Sequence, residues 1–159
     1  AVVPGTCYGN SDVDVAGSFP EEAERVRVRL EGERFDAIYS SPLQRCRKLA
    51  VYCGYENPVL DDRLKELNFG SWEGQRWDEI QDPRLREWYD DWLSIPAGGA
   101  ESFLEQYNRV SAFLDDLKDS GYRKVCVFTH GGTIRAALIY AGKAFTDDVD
   151  YGTQIRITI

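Results

Sequence analysis

One segment constrains the fold more than any other. Lys124-Val-Cys-Val-Phe-Thr129 is a dense apolar run that reads as a buried strand. It ends directly on His130-Gly131-Gly132, and a helical pattern then runs from Thr133 to Ala141. A strand that hands over to a helix within two or three residues needs a crossover connection, and such connections build parallel sheets. A second handover of this kind occurs where Phe35-Asp-Ala-Ile-Tyr39 reads as a short buried strand and Ser41-Pro42 opens a helix ending near Gly54. The expected fold is therefore α/β: a three-layer α/β/α arrangement with helices on both faces of a largely parallel sheet.

The remaining pattern fits one domain over residues 1–159, with no repeats, low-complexity runs or linker. Ala1 to Ala16 lacks periodicity and reads as a loop. Ser18-Phe-Pro-Glu21 has the form of a capping box with Pro in the first turn, which predicts a helix to about Leu30. Asp61 to Gly74 reads mostly as loop. Arg76 to Leu93 is rich in aromatic residues, and Pro83 divides it into two short predicted helices. They suit either a cap over a pocket or plain core. Ser102-Phe-Leu-Glu105 is a second capping box, followed by Phe103, Tyr107, Val110, Leu114 and Leu117 at helical spacing, ending near Gly121. Gln154 to Ile159 alternates polar and apolar residues and predicts a last strand.

Composition narrows the partners. Of the 159 residues 43% are hydrophobic and 29% charged, and the net charge of −8 sets the surface against nucleic acid and anionic lipid. A local cluster of arginines can still reverse the field in one pocket, so a small phosphorylated substrate fits. The longest apolar run, Ala136 to Ala141, is too short to span a bilayer, and Ala1 to Pro4 has no basic region of the kind that opens a signal peptide. Cys7, Cys46, Cys53 and Cys126 form no CxxC pair, and with a single histidine they give little support to a metal site. They read as reduced thiols packed as small hydrophobes, which points to the cytoplasm.

Three stretches carry candidate chemistry. His130 is delivered to the carboxyl end of a strand, where open α/β sheets place ligands. Gly131 and Gly132 allow close backbone approach, and the helix behind them offers free N–H groups to an anion. The stretch Ser40-Ser41-Pro42-Leu43-Gln44-Arg45-Cys46 also opens a helix, and Arg45 can meet a phosphate as a bidentate fork. Arg47 and Lys48 fall on the solvated face. In Asp62 to Gly74, a loop carboxylate near an aromatic can act as a general acid. The residues alone leave Glu66 and Glu73 as equal candidates, beside simple surface pairing.

Taken in order, these stretches resemble the histidine phosphatase, or phosphoglycerate mutase-like, superfamily. Ser40-Ser-Pro-Leu-x-Arg45-Cys46 is similar to its second arginine motif, Leu64-Lys-Glu66 through Gly70-x-Trp72-Glu73-Gly74 to its acid-bearing loop, and Phe128-Thr-His130-Gly-Gly to its second-histidine motif. Pro4-Gly-Thr-Cys7-Tyr8-Gly9-Asn-Ser-Asp-Val13 is similar to the segment that follows the nucleophile in alpha-ribazole phosphatases of cobalamin biosynthesis. The resemblance implies hydrolysis of a phosphomonoester through a phosphohistidine, with no metal and no cofactor. Glu66 would protonate the leaving oxygen and then assist water. His130 and Arg45 would stabilise the phosphoryl oxygens, with Gly131 beside them in substrate binding. The implied substrate is alpha-ribazole 5′-phosphate. A sugar or nucleotide phosphatase and an inactive phosphate-binding protein are the alternatives.

The chain departs from the family pattern in lacking the Arg-His motif that bears the nucleophile. The resemblance therefore carries the expectation of a first strand with that motif ahead of Ala1. Two smaller departures are Gly98-Gly99-Ala100-Glu101-Ser102, where Ala100 interrupts the usual pattern, and the short stretch from Gly142 to Gly152.

Overall fold

In a computed structural model, which describes residues 3–146 and 148–159, the strands and helices assemble as a parallel sheet between two helical layers. Strands β1 (Ala37–Ser40), β2 (Val59–Leu60) and β3 (Val125–Phe128) lie in the order β2-β1-β3, and both pairings are parallel. Tyr39 pairs with Val59 on one side and with Val127 on the other. The helices are α1 (Phe19–Leu30), α2 (Gln44–Tyr52), α3 (Arg84–Asp90), α4 (Phe103–Asp119) and α5 (Gly131–Tyr140).

Side chains alternate across a strand, so β1 and β3 each feed two cores. Ile38, Cys126 and Phe128 pack with Val26 and Leu30 of α1 and Cys46 and Ala50 of α2. Tyr39 and Val127 point the other way, against Val110, Phe113 and Leu114 of α4 and Ala136 of α5. This division produces the three layers expected from the sequence. The aromatic stretch forms a third cluster around the fully buried Trp72, with Cys7, Leu67, Ile80 and Ala97. Trp77 and Trp88 stack at 6.0 Å between ring centroids, and the Trp72 indole N–H donates to Asp82 at 2.9 Å. No helix among the described residues is long and apolar enough to cross a membrane.

Four expectations are corrected. Ser18 does precede α1, but its backbone is already helical at φ −72° and ψ −10°, and its side chain makes no cap. Ser102 has the extended backbone that capping needs, at φ −86° and ψ 161°, and there the capping box forms in both directions. The stretch before Pro83 condenses to one 3-10 turn, Trp77–Glu79, because the residue preceding a proline resists the α conformation. The helix after His130 begins at Gly131, two residues earlier than expected, with Ile134 N–H bonded to the His130 carbonyl. Finally, 154–159 forms no strand. Alternation gives a ribbon two faces but supplies no partner edge, and among the described residues no backbone ladder reaches this segment, which is tied instead through Arg156 to Glu33. The loop expected over the first sixteen residues is observed from residue 3 onward; Ala1 and Val2 lie outside the described residues, as does residue 147 in the stretch 142–152.

Candidate active site

The site is built where β1 and β3 end and α5 begins. Its acid-bearing segment, 63–66, leaves the 3-10 turn Asp62–Leu64, and among the described residues its carbonyls accept no backbone N–H, so they need other donors. Arg109 of α4 supplies most of them. Its guanidinium donates to the carbonyls of Arg63 at 2.7 Å, Lys65 at 2.8 Å and Glu66 at 3.0 Å. It is held in turn by Glu101 at 2.6 Å. The Thr129 hydroxyl takes the Leu64 carbonyl at 2.7 Å, and the Thr133 hydroxyl takes that of Lys65 at 3.0 Å. The residues flanking His130 therefore also fix the backbone that carries Glu66.

The Glu66 side chain reaches the start of α5. The Gly132 N–H, one of the orphan donors of a helix N-terminus, lies 3.1 Å from both carboxylate oxygens. Oε1 also accepts from the Leu67 N–H at 2.9 Å and from the Gln106 amide at 3.1 Å. A side chain at 132 would crowd the carboxylate. A Cβ there would stand 2.3 Å from Glu66 Oε1 and 2.7 Å from Gln106 Oε1.

Glu73, the equal of Glu66 on composition, has a different place. It accepts from the backbone N–H groups of Asn10 at 2.8 Å, Ser11 at 2.6 Å and Phe69 at 3.1 Å, and from the Ser11 hydroxyl. Burial pushes its carboxyl up, but these hydrogen bonds outweigh burial and hold it below the usual range. Glu73 thus fastens the 9–11 loop to the 66–74 loop.

That fastened loop is what Arg45 holds. Its guanidinium donates to the carbonyls of Gly9 at 2.6 Å and Ser11 at 3.0 Å, and lies over the Tyr8 ring at 5.5 Å. The expected phosphate fork is therefore turned onto backbone carbonyls in this structure. Arg47 and Lys48 are exposed, as expected. Tyr8 is hydrogen-bonded to Tyr151, and its phenol is pushed up to about 12, by burial first and then by that bond.

His130 ends β3 and is 8% exposed. Its Nε2 lies 2.7 Å from Ser41 Oγ, and the Cys46 thiol packs 3.4 Å away while donating to the Thr129 carbonyl at 3.3 Å. Burial lowers the imidazole to about 3, and the positive charges of Arg45 and Arg109 act in the same direction. The ring is neutral at pH 7. Ser41 thus engages Nε2, and the Cys46 sulfur also lies 3.7 Å from Nδ1. Gly131 lies between His130 and Glu66, and a Cβ there would stand 3.8 Å from Glu66 Oε2. Among the described residues no group of histidine, cysteine, aspartate and glutamate side chains is arranged to hold a metal ion.

The family model of the histidine phosphatase superfamily (branch 1) matches residues 3–153. The chain belongs to the histidine phosphatase superfamily. Phosphoserine phosphatase 1 of Hydrogenobacter thermophilus is 28% identical over 83% of this chain and 66% of its own length. The adenosylcobalamin/alpha-ribazole phosphatase of Escherichia coli is 27% identical over 84% of this chain and 70% of its own. The chain thus spans about two thirds of the length of these relatives. The crystal structure of the alpha-ribazole phosphatase from Shigella flexneri superposes with a TM-score of 0.79, covering 88% of this chain and 73% of the other, at 22% identity, a likeness of fold.

Within this superfamily member, the structure brings Glu66, His130 and Gly131 to the head of α5, while Arg45 of α2 holds the 9–11 loop and bears on His130 through its charge. Sequence reasoning placed Ser41 and Thr129 in the candidate stretches without giving either a role, and missed Gln106, Arg109 and Thr133 as parts of the site. For Gln106 a signal was available: it lies between Phe103 and Val110 on the buried stripe of α4, where a polar residue is out of place.

Proposed function

We propose that this chain carries the phosphoryl-transfer site of a phosphomonoesterase acting on small phosphorylated metabolites. The observation that supports this best is the convergence at the start of α5. There a carboxylate bonded to a helix N–H and an imidazole at the end of β3 come to the same helix start, within a superfamily of phosphatases. In the reaction, a histidine nitrogen attacks phosphorus and the bond from phosphorus to the leaving alcohol oxygen breaks. Glu66, in its acid form, gives that oxygen a proton. Its carboxylate then takes a proton from water as the water oxygen attacks phosphorus, and the N–P bond breaks to release phosphate. Arg45 and His130 stabilise charge on the equatorial oxygens, which needs donors aimed where charge develops. The attacking histidine is not one of these 159 residues, whose single histidine is His130.

Alpha-ribazole 5′-phosphate is the favoured substrate, on the resemblance of Pro4 to Val13. In the structure that segment buries Cys7 and sets Tyr8 beside Arg45. Phosphoserine is the second reading, supported by the phosphoserine phosphatase relative. All four cysteines are free, which fits a reducing cytoplasm. The test is a panel of alpha-ribazole 5′-phosphate, phosphoserine, sugar phosphates and nucleotides, assayed on the protein isolated from its natural source. A preference for alpha-ribazole 5′-phosphate supports the proposal, and a preference for phosphoserine moves the substrate to the second reading. No turnover of any ester, with phosphate still bound, would make the protein a phosphate-binding module.

A further inference from the structure

Gln106 is fully buried in the apolar stripe of α4. A buried amide costs free energy unless both its ends are paired. Here only one is. Nε2 donates to Glu66 Oε1 at 3.1 Å, and the amide oxygen has no partner among the described residues. The opposite orientation would set that oxygen against the carboxylate, so the charge on Glu66 fixes the amide as it stands. An apolar side chain of similar size would fill the space without an unpaired oxygen, so stability alone does not call for glutamine here.

The consequence lies in Glu66, whose two oxygens are unequal. Oε1 accepts from the Leu67 N–H, the Gln106 amide and the Gly132 N–H. Among the described residues Oε2 shares only the Gly132 N–H, and it faces the Gly131 side of the site, where a Cβ on Gly131 would stand 3.8 Å from it and 3.2 Å from the Arg135 guanidinium. An oxygen already surrounded by donors has no lone pair free for a proton. We propose that Gln106 is a positioning residue that anchors Glu66 Oε1 and so presents Oε2 as the oxygen that exchanges the proton with substrate and water. This rests on the phosphomonoesterase reading for its catalytic half; the anchoring half does not.

The test uses Gln106→Met, which keeps the length and removes the N–H donors, and Gln106→Leu. In the folded variants, hydrogen exchange at the Gly132 amide is expected to speed up about tenfold, because the carboxylate that protects it is no longer pinned and one charged hydrogen bond is worth about that much or more. The kcat for a phosphomonoester is expected to fall about tenfold or more, with KM unchanged, because Arg45 and His130 still bind the phosphoryl group. Unchanged Gly132 exchange in a folded variant overturns the anchor. A large loss of thermal stability in both variants assigns Gln106 to packing and also overturns it. If the wild type hydrolyses no ester, the functional reading fails, and Gly132 exchange still decides the anchor.

Discussion

Replacing Gly132 by alanine is expected to separate the fold from the chemistry. Gly132 is not among the glycines with positive φ, so its backbone accepts an L-residue, and alanine in place of glycine favours a helix by about 1 kcal/mol. The obstacle is contact. The new Cβ would stand 2.3 Å from Glu66 Oε1, 2.7 Å from Gln106 Oε1 and 2.8 Å from Gln106 Nε2. Gln106 is fully buried and cannot retreat into solvent, so Glu66 must give way. Moving it forfeits the bonds from Gly132 and Gln106, each worth about 1.5 to 3 kcal/mol to a charged acceptor, although a displaced carboxylate recovers part of this from water. The net cost to stability is therefore about 1 to 3 kcal/mol, a modest fall in Tm. The cost to turnover is larger, because displacing a reacting group by about 1 Å can slow the reaction about 100-fold. Steady-state kinetics on the full protein, beside Arg47→Ala on the exposed face of α2, measures it. A Gly132→Ala enzyme whose kcat matches wild type would refute the placement of Glu66 against α5.

Two further results are expected. His130 titrates near 3 in the fold against 6.5 when free, so the unfolded chain takes up a proton first as pH falls. Stability carried by the neutral ring is complete above pH 6.5 and is lost as pH falls from there toward about 3, at about 1.4 kcal/mol per unit. Urea unfolding of wild type should therefore weaken more between about pH 7 and 5 than that of His130→Gln, and parallel losses would contradict the buried neutral ring. Arg45→Ala frees the Gly9 and Ser11 carbonyls and removes a fork that can turn to phosphate, so the inhibition constant of inorganic phosphate should rise about 10- to 100-fold. An unchanged constant would leave Arg45 only its loop-holding bonds.

How much of this was legible depended on whether a signal was local. The run from Lys124 to Thr129 announced β3 because dense apolar β-branched residues have few other homes, and His130 came with it. Ser18 and Ser102 carry the same capping pattern, yet only Ser102 caps, because the backbone angle of the serine is set by the chain before it. Residues 154–159 alternate well and still form no strand, because pairing belongs to an edge elsewhere in the chain. The same limit applies to the site. Glu66 and Glu73 are alike in composition, and only tertiary donors distinguish them: three backbone N–H groups and a hydroxyl commit Glu73 to holding a loop, while Glu66 keeps Oε2 nearly open. The engagement of Arg45 with Gly9 and Ser11 spans more than thirty residues of sequence, and no motif spacing reports it.

The central claim is that Glu66 serves as acid and base for phosphoryl transfer through histidine. Glu66→Gln tests it most directly, in the protein isolated from its natural source or its full-length recombinant equivalent, with p-nitrophenyl phosphate as a substrate whose leaving group needs little protonation. Phosphoenzyme is quenched and quantified over time. The account predicts that the variant forms an acid-labile, alkali-stable phosphoenzyme and then hydrolyses it about 100-fold or more slowly than wild type, so that it accumulates. Hydrolysis at the wild-type rate with no phosphoenzyme trapped would contradict it.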